Sequence, residues 1–199
     1  MTHYLYLVRH GEHLDAEHGL EDGPLSPRGR RQAELLADRL SGVPLDAVWH
    51  SPLERAAETA RAVADRLPSV DPQPSPLLFD CIPTGKTPDT PAVYEAFFRA
   101  YTEAEAEAGA AQMADAVAEF LVRKPDGHEL LITHNNVISW FVREVLGAAE
   151  WRWLTLNQAH CGLTVLAQRP GRPWSLASHN DLAHLPFELR TGLPELPPV

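Results

Sequence analysis

The chain has 199 residues, of which 44% are apolar and 22% charged, the length and composition of one soluble globular domain. Its 17 basic and 27 acidic side chains leave a formal charge of −10, which argues against nucleic acid and anionic membranes as partners. The two cysteines, Cys81 and Cys161, form no CxxC motif, so neither a disulfide framework nor a thiolate metal cluster is implied. We expect a cytoplasmic protein with no export signal and no membrane span.

The chain begins with a predicted strand followed by a loop and a helix. Residues 4–8 form a short apolar run that is typical of a strand buried on both faces. Residues 13–24 are polar and contain glycine, which predicts a loop. Ser26 and Pro27 then favour the start of a helix that ends near Gly42.

A second strand and helix follow, and after them a long connector. Residues 45–49 predict the strand. Residues 51–54 have the sequence of a capping box, and the helix it predicts continues to Leu67. The proline-rich connector, residues 68–91, contains one short apolar piece at 77–79, and its length suggests a functional role.

The second half of the chain predicts two further helices before a third strand. Their apolar positions fall within residues 93–101 and 113–121, separated by the acidic, alanine-rich residues 103–108, which we interpret as a solvated helix face. Residues 129–133 predict the strand, and residues 137–145 the helix that follows it.

Strands that alternate with helices predict an α/β fold, a three-layer α/β/α sandwich with a mostly parallel central sheet. Residues 163–167 and 174–178, joined by a proline- and glycine-containing turn, predict a C-terminal hairpin. We expect one domain over residues 1–199, with a peripheral tail at about 187–199.

Cationic and imidazole side chains follow three of the predicted strands. Arg9 and His10 follow the first, His134 follows the third, and Arg55 lies just inside the helix after the second. Ligands of α/β sheets collect beyond the carboxyl ends of the strands. Guanidinium forks match phosphate oxygens, imidazole can donate a hydrogen or attack, and a helix N-terminus attracts anions. These residues therefore suggest phosphoryl chemistry.

Four sequence blocks in order resemble the histidine phosphatase superfamily, which includes the cofactor-dependent phosphoglycerate mutases. The blocks are residues 9–12 (RHGE), 25–33, 51–60 and 133–134. Residues 77–83, 134–138 and 153–157 are most similar to the branch that contains a serine/threonine protein phosphatase. The resemblance implies a phosphoglycerate mutase-like fold.

The resemblance also implies roles for five residues. His10 is expected to be the nucleophile that forms a phosphohistidine, with Arg9, Arg55 and His134 holding the phosphoryl oxygens. Asp80 stands where the family more often has glutamate, and it is expected to act as general acid and then as base for water. The scheme requires no metal and no cofactor.

Gly11, Glu12 and Asn135 adjoin the two expected active-site histidines, and we expect them to contact substrate. Asn135 replaces a glycine of the wider family. The remaining histidines of interest are interpreted as ordinary surface or core residues: His3, His13, His18, His128, His160, His179 and His184. A metal site has no recognised ligand spacing to support it, although the side chains between residues 10 and 18 offer candidate ligands: His10, Glu12, His13, Asp15, Glu17 and His18.

The predicted function is hydrolysis of phosphomonoesters, with a phosphorylated small molecule or phosphoprotein as substrate and homodimer formation left open. One alternative is a phosphoglycerate-type mutase. The connector offers no recognisable mutase-type substrate segment, which ranks hydrolysis first. The other alternative is a catalytically weak protein that binds phosphate as an interaction module, because Asp80 departs from the family pattern.

Overall fold

A six-stranded sheet runs through the protein in a computed structural model that describes residues 2–14, 22–67, 70–122 and 126–194. The sheet has the spatial order β3-β2-β4-β1-β5-β6. Neighbours among β1 to β4 are parallel, and β5 is antiparallel to both β1 and β6. The strands are β1 (His3–Arg9), β2 (Ala47–His50), β3 (Gln73–Pro74), β4 (Gly127–Thr133), β5 (Leu163–Gln168) and β6 (Trp174–Asp181).

Helices cover both faces of this sheet. They are α1 (Pro27–Leu40), α2 (Glu54–Ala64), α3 (Glu95–Phe98), α4 (Glu103–Phe120) and α5 (Asn135–Leu146). Short 3₁₀ turns occupy Pro76–Leu78, Ala92–Tyr94, Glu150–Thr155 and Phe187–Leu189. Among the described residues, no helix combines the length and the apolarity that a membrane crossing requires.

The core consists of two apolar layers because successive strand residues face opposite sides of the sheet. In β1, Leu5 and Leu7 pack in the layer that contains α4 and α5, whereas Val8 packs in the layer that contains α1 and α2. In β4, Leu131 and Ile132 divide in the same way, and all five side chains are fully buried. This alternation confirms the predicted three-layer α/β/α sandwich with its mostly parallel sheet and C-terminal hairpin.

Several predicted elements differ from the structure. Residues 93–101 form a 3₁₀ turn and the single-turn α3 instead of one helix. The acidic residues 103–108 are mostly exposed, as expected of a solvated helix face, but they belong to α4, which is longer than the predicted helix and begins after a complete capping box between Thr102 and Glu105. The short strand β3 was not predicted, and it contains a proline and ends the sheet at one edge. The predicted loop 13–24 and connector 68–91 lie partly outside the described residues.

The predicted capping box at residues 51–54 is wrong. Leu53 occupies the N-cap position of α2 and supplies no side-chain hydrogen bond. The carboxylate of Asp22 accepts the backbone hydrogen bond of Glu54 instead, at 3.0 Å. The Ser51 hydroxyl is used elsewhere, because it bonds to the ring of His134 at 2.8 Å. A carboxylate from the preceding loop therefore binds the N-terminus of α2, whose first turn contains Arg55.

The tail expected to be peripheral contacts two largely buried side chains through residues 189–192. Gln32 donates to the carbonyl of Leu189 at 2.7 Å, and Arg9 donates to the carbonyl of Gly192 at 2.9 Å. Buried guanidinium and amide groups require acceptors, and this segment provides them. Residues 195–199 lie outside the described residues.

Candidate active site

The sheet order brings three strand ends together. Because β4 lies between β1 and β2 and all three are parallel, their carboxyl ends share one edge. The backbone N–H of His10 donates to Thr133 at 2.9 Å, and that of Ser51 donates to Ile132 at 2.9 Å. The chain therefore leaves the sheet at three adjacent points. His10, Ser51 and His134 are the first residues after the three strands.

His10 is 3% exposed, and its ring orientation is fixed. Its Nδ1 donates to the Gly11 carbonyl at 2.8 Å, since a carbonyl can only accept, and this leaves the lone pair on Nε2. The Nε group of Arg55 donates to that lone pair at 3.2 Å. Burial lowers the pKa of His10 well below its ordinary value, with further lowering from His134, Arg9 and His160, against the opposing Gly11 bond. The ring is therefore neutral and nucleophilic at neutral pH.

Arg55 connects the groups of the pocket. Besides its bond to His10, its Nη1 donates to Asp22 at 3.1 Å, and its Nη2 lies 3.4 Å from Nδ1 of His134 and 3.6 Å from Oδ2 of Asp80. The carbonyl of Arg55 accepts from the Thr59 hydroxyl at 2.8 Å, and that hydroxyl accepts the Gly11 backbone N–H at 3.0 Å. The guanidinium is therefore held at the N-terminus of α2, where the helix dipole adds positive potential.

His134 is 1% exposed, and its ring centroid lies 5.1 Å from that of His10. Its Nε2 bonds to the Ser51 hydroxyl, whose oxygen also accepts from Leu53 N–H at 3.4 Å. Its Nδ1 faces the pocket, where it accepts from Nη2 of Arg55 at 3.4 Å because a guanidinium can only donate. The hydrogen of the neutral ring therefore lies on Nε2, which donates to the Ser51 hydroxyl. Burial, followed by Arg55, Arg9 and His13, lowers the pKa of His134 well below its ordinary value.

Two backbone carbonyls from the C-terminal part of the chain anchor Arg9. Its Nη1 donates to Gln158 at 2.8 Å and to Gly192 at 2.9 Å, while its buried Nε has no hydrogen-bond partner within the described residues. Burial lowers the pKa of Arg9 to about 10, with Asp80 opposing this effect and Arg55 adding to it. Arg9 therefore remains a cation at neutral pH.

Asp80 lies at the mouth of the pocket, where its side chain is 44% exposed. Its Oδ2 is 3.6 Å from Nη2 of Arg55 and 3.8 Å from Nδ1 of His134. Desolvation raises the pKa of this carboxyl above its ordinary value, although Arg55 and Arg9 act in the opposite direction. The structure thus brings together all five residues expected from the sequence in one pocket: Arg9, His10, Arg55, Asp80 and His134.

The structure also places two unexpected histidines beside His10. The ring centroids of His13 and His160 lie 5.1 and 5.5 Å from that of His10. Burial, followed by the charges of Arg9, His13 and Arg55, lowers the pKa of His160 to about 2. Sequence reasoning treated both as ordinary residues. For His160 the one available signal was its position just before the predicted hairpin, which did not reveal how close the loop comes to His10.

The other residues expected to contact substrate make scaffold contacts. An added Cβ on Gly11 would lie 2.7 Å from the carbonyl oxygen of Gly29. The carboxylate of Glu12 accepts from the Ser26 hydroxyl at 2.8 Å, and Asn135 Oδ1 accepts the backbone N–H of Gln158 at 2.8 Å. Asn135 thus supports the loop whose carbonyl holds Arg9. Direct substrate contact by Gly11, Glu12 and Asn135 stays a prediction.

One group of side chains within the described residues has the geometry to hold a metal ion. Ring nitrogens of His10, His13 and His160 all lie within 4.8 Å of one another. The group differs from the set considered from the sequence, of which Asp15, Glu17 and His18 lie outside the described residues. The guanidiniums of Arg9 and Arg55 repel a dication and attract an anion, so the electrostatics of this pocket favour phosphate over a metal ion.

Comparison with known proteins agrees with this geometry. Residues 5–182 match the family described as the histidine phosphatase superfamily, branch 1. The chain belongs to this superfamily. The resemblance found in the sequence motifs is therefore confirmed.

Curated relatives of the chain include the serine/threonine-protein phosphatase Pgam5, mitochondrial, of Caenorhabditis elegans, which is 33% identical over 194 residues. That alignment covers 93% of the chain and 65% of the relative, so the chain spans slightly less than two thirds of the curated protein's length. The expectation of a cytoplasmic location is wrong on this comparison, because these relatives are mitochondrial by name.

Solved structures resemble this histidine phosphatase over nearly their whole length. YhfR of Bacillus stearothermophilus superposes with a TM-score of 0.72 at 25% identity, covering 91% of this chain and 98% of that one. A putative alpha-ribazole-5'-P phosphatase of Escherichia coli gives a TM-score of 0.72 at 23% identity, covering 90% and 96%. These matches confirm the fold.

Proposed function

We propose that this protein hydrolyses phosphomonoesters through a phosphohistidine on His10. The observation that carries the proposal is the neutral His10 ring, whose Nε2 lone pair faces Arg55 in a pocket that also contains Arg9 and His134. Membership in the histidine phosphatase superfamily and the phosphatases among the relatives favour hydrolysis over the mutase and binding-module alternatives.

In the first step, His10 Nε2 attacks phosphorus and the bond from phosphorus to the ester oxygen breaks. Arg9, Arg55 and His134 contact the three remaining phosphoryl oxygens, where negative charge is concentrated in the transition state. Arg55 Nε must leave the lone pair it now contacts, and a phosphoryl oxygen provides the stronger, charged acceptor.

Asp80 gives its proton to the leaving oxygen, and as a carboxylate it then accepts a proton from the water that attacks phosphohistidine. Its raised pKa supports the acid role, because a larger fraction is protonated near neutral pH. The second step releases inorganic phosphate and restores neutral His10. Each proton that Asp80 gives in the first step returns to it in the second.

The leaving group has room in a cavity of about 400 Å³ that begins at Asp80. Cys81, Ile82, Tyr101 and Glu105 line it, and no lysine or arginine does so among the described residues. A second anionic group would find no counter-charge there, which disfavours phosphoglycerate and hence the mutase reaction. The cavity suits the ester of an uncharged alcohol or of a serine or threonine side chain in a peptide.

The test is phosphate release from a panel of phosphoserine and phosphothreonine peptides, sugar phosphates and 3-phosphoglycerate. We expect release without formation of 2-phosphoglycerate. Rapid quenching with labelled substrate should yield acid-labile, base-stable phosphate on the wild-type protein and none on His10→Ala. Full turnover by His10→Ala, or a label on another residue, would contradict the proposal.

A further inference from the structure

His160 is a buried histidine beside the nucleophile that the proposed reaction does not use. It is 8% exposed, and its ring centroid lies 5.5 Å from that of His10. Its Nδ1 bonds to the Thr191 hydroxyl at 2.9 Å, whereas its buried Nε2 has no hydrogen-bond partner within the described part of the chain. Buried polar atoms are rarely left without a partner, so an unpartnered one in a ligand pocket indicates a group that the ligand supplies.

The neighbours of His160 determine which ring nitrogen carries the hydrogen. Gln32 Oε1 accepts the backbone N–H of Glu12 at 2.8 Å, and Gln32 Nε2 donates to the Leu189 carbonyl at 2.7 Å, which together fix the amide orientation. The same Nε2 donates to Thr191 Oγ1 at 2.9 Å. The Thr191 hydroxyl hydrogen is then available to His160 Nδ1. This arrangement gives the hydroxyl hydrogen a partner when Nδ1 accepts it, which favours the neutral tautomer with its hydrogen on Nε2.

The two rings are close enough for one oxygen atom to contact both of them. Ring nitrogens of His10 and His160 lie within 4.8 Å of each other, but the rings form no mutual hydrogen bond in the described structure. An oxygen bonded to phosphorus at His10 and lying between the rings would be within a hydrogen-bond distance of His160, about 2.7–3.2 Å. The nearby guanidiniums of Arg9 and Arg55 favour an anionic oxygen at this position.

We propose that His160 donates its Nε2 hydrogen to an oxygen of the phosphoryl group held at His10, and that Thr191 keeps His160 in the donating tautomer. The inference rests on the proposed function, since it concerns the same phosphate pocket. His160 contacts substrate, whereas Thr191 and Gln32 are positioning residues. Through Thr191, the segment after the last strand becomes part of the site.

A matched pair of amide substitutions separates donation from packing. The amide nitrogen of His160→Gln lies near the position of Nε2 and can still donate to phosphate, whereas that of His160→Asn lies near Nδ1 and cannot reach the phosphate. We expect His160→Asn to weaken binding of inorganic phosphate and orthovanadate roughly 10- to 100-fold, as for loss of a bond to a charged group. His160→Gln should stay within about threefold of wild type. His179→Gln, an exposed histidine on β6, is the control.

The role of Thr191 has its own readout. Long-range ¹H–¹⁵N correlation spectra report which nitrogen of His160 is protonated, and we expect Nε2 in the wild type and in Thr191→Ser. Thr191→Val removes the hydroxyl at nearly constant volume, so it should populate the other tautomer and weaken phosphate binding several-fold. A wild-type tautomer that carries the hydrogen on Nδ1 would overturn the inference, as would equal phosphate affinity of wild type and His160→Asn at unchanged melting temperature.

Equilibrium binding of inorganic phosphate requires no turnover, so this inference and the proposed function can fail separately. If phosphate affinity depends on His160 while no phosphomonoester is hydrolysed, only the proposed function is wrong. If His10 forms a phosphohistidine while His160→Asn binds phosphate as wild type does, only the present inference is wrong.

Discussion

Arg55 donates its Nε hydrogen to Nε2 of His10 at 3.2 Å, so the residue that would bind phosphate also covers the lone pair of the nucleophile before substrate enters. The contact keeps the His10 ring in the orientation needed for attack. It also disfavours protonation of His10, because an imidazolium at this position would face a guanidinium hydrogen. Substrate binding must transfer this hydrogen bond from nitrogen to a phosphoryl oxygen.

Arg55→Lys tests this transfer. Lysine keeps the positive charge but has one compact ammonium group, which cannot contact His10, Asp22 and phosphate from a planar fork. We expect kcat/KM for nitrophenyl phosphate to fall by about 10²- to 10³-fold, as for loss of one preorganised transition-state contact. Arg61→Lys, on the exposed side of the same helix, is the control and should keep wild-type kinetics. Wild-type kinetics in Arg55→Lys would refute the role.

The pH dependence should differ between good and poor leaving groups. Asp80 donates a proton only in its neutral form, and desolvation raises its pKa, so turnover of an alkyl phosphate should fall as the pH rises through that pKa. Nitrophenolate leaves without a proton, and its release should lack this basic limb. In Asp80→Asn, alkyl phosphate hydrolysis should fall at least about 10²-fold, with a smaller loss for nitrophenyl phosphate. Equal losses on both substrates would exclude Asp80 as the acid.

The buried histidines predict loss of stability in acid. The pKa values of His10, His134 and His160 are lowered in the folded protein, that of His160 to about 2, whereas unfolded histidine titrates near 6.5. Below about pH 6.5 only the unfolded chain binds these protons, so stability is present above that pH and is lost as the pH falls. His160 alone should remove about 2 kcal/mol between pH 7 and pH 5, and His10 and His134 should act in the same direction.

Urea unfolding at the two pH values measures this effect. His160→Gln cannot take up the proton, so its loss of unfolding free energy between pH 7 and pH 5 should be smaller than that of wild type by about 2 kcal/mol. Carboxylates contribute equally to both proteins and cancel in the difference. An identical pH dependence in the two proteins would show that His160 titrates normally in the fold.

The sequence predicts those pocket residues that directly follow parallel strands. Apolar runs end at Arg9 and just before His134, and parallel strands place their carboxyl ends at one edge, so convergence follows from pattern alone. The position of His160 depends on which strand the hairpin pairs with. Leu163 of β5 pairs with Val8 of β1, which brings the preceding loop beside His10. A hairpin pattern carries no information on that partner, because either edge of the sheet could accept it.

The contact between Gly192 and Arg9 yields the sharpest test of the C-terminal segment. Gly192 has φ +83°, and an added Cβ would lie 2.7 Å from Nη1 of Arg9 and 2.8 Å from Nδ1 of His160. We expect Gly192→Ala to displace both side chains and to weaken phosphate binding about 10-fold or more. The carbonyl of Gly192 holds Arg9 at 2.9 Å, so backbone movement alone would disturb the same guanidinium.

Gly171→Ala is the matched control, because Gly171 has φ +72° in the hairpin turn and an added Cβ would meet nothing within 4 Å. Both substitutions place an alanine in a left-handed backbone conformation, which should lower the unfolding free energy of each variant by about 1–2 kcal/mol. Only Gly192→Ala should change the dissociation constant of inorganic phosphate, measured by calorimetry. If both variants lose stability equally and bind phosphate like wild type, the segment after β6 does not position Arg9 for substrate.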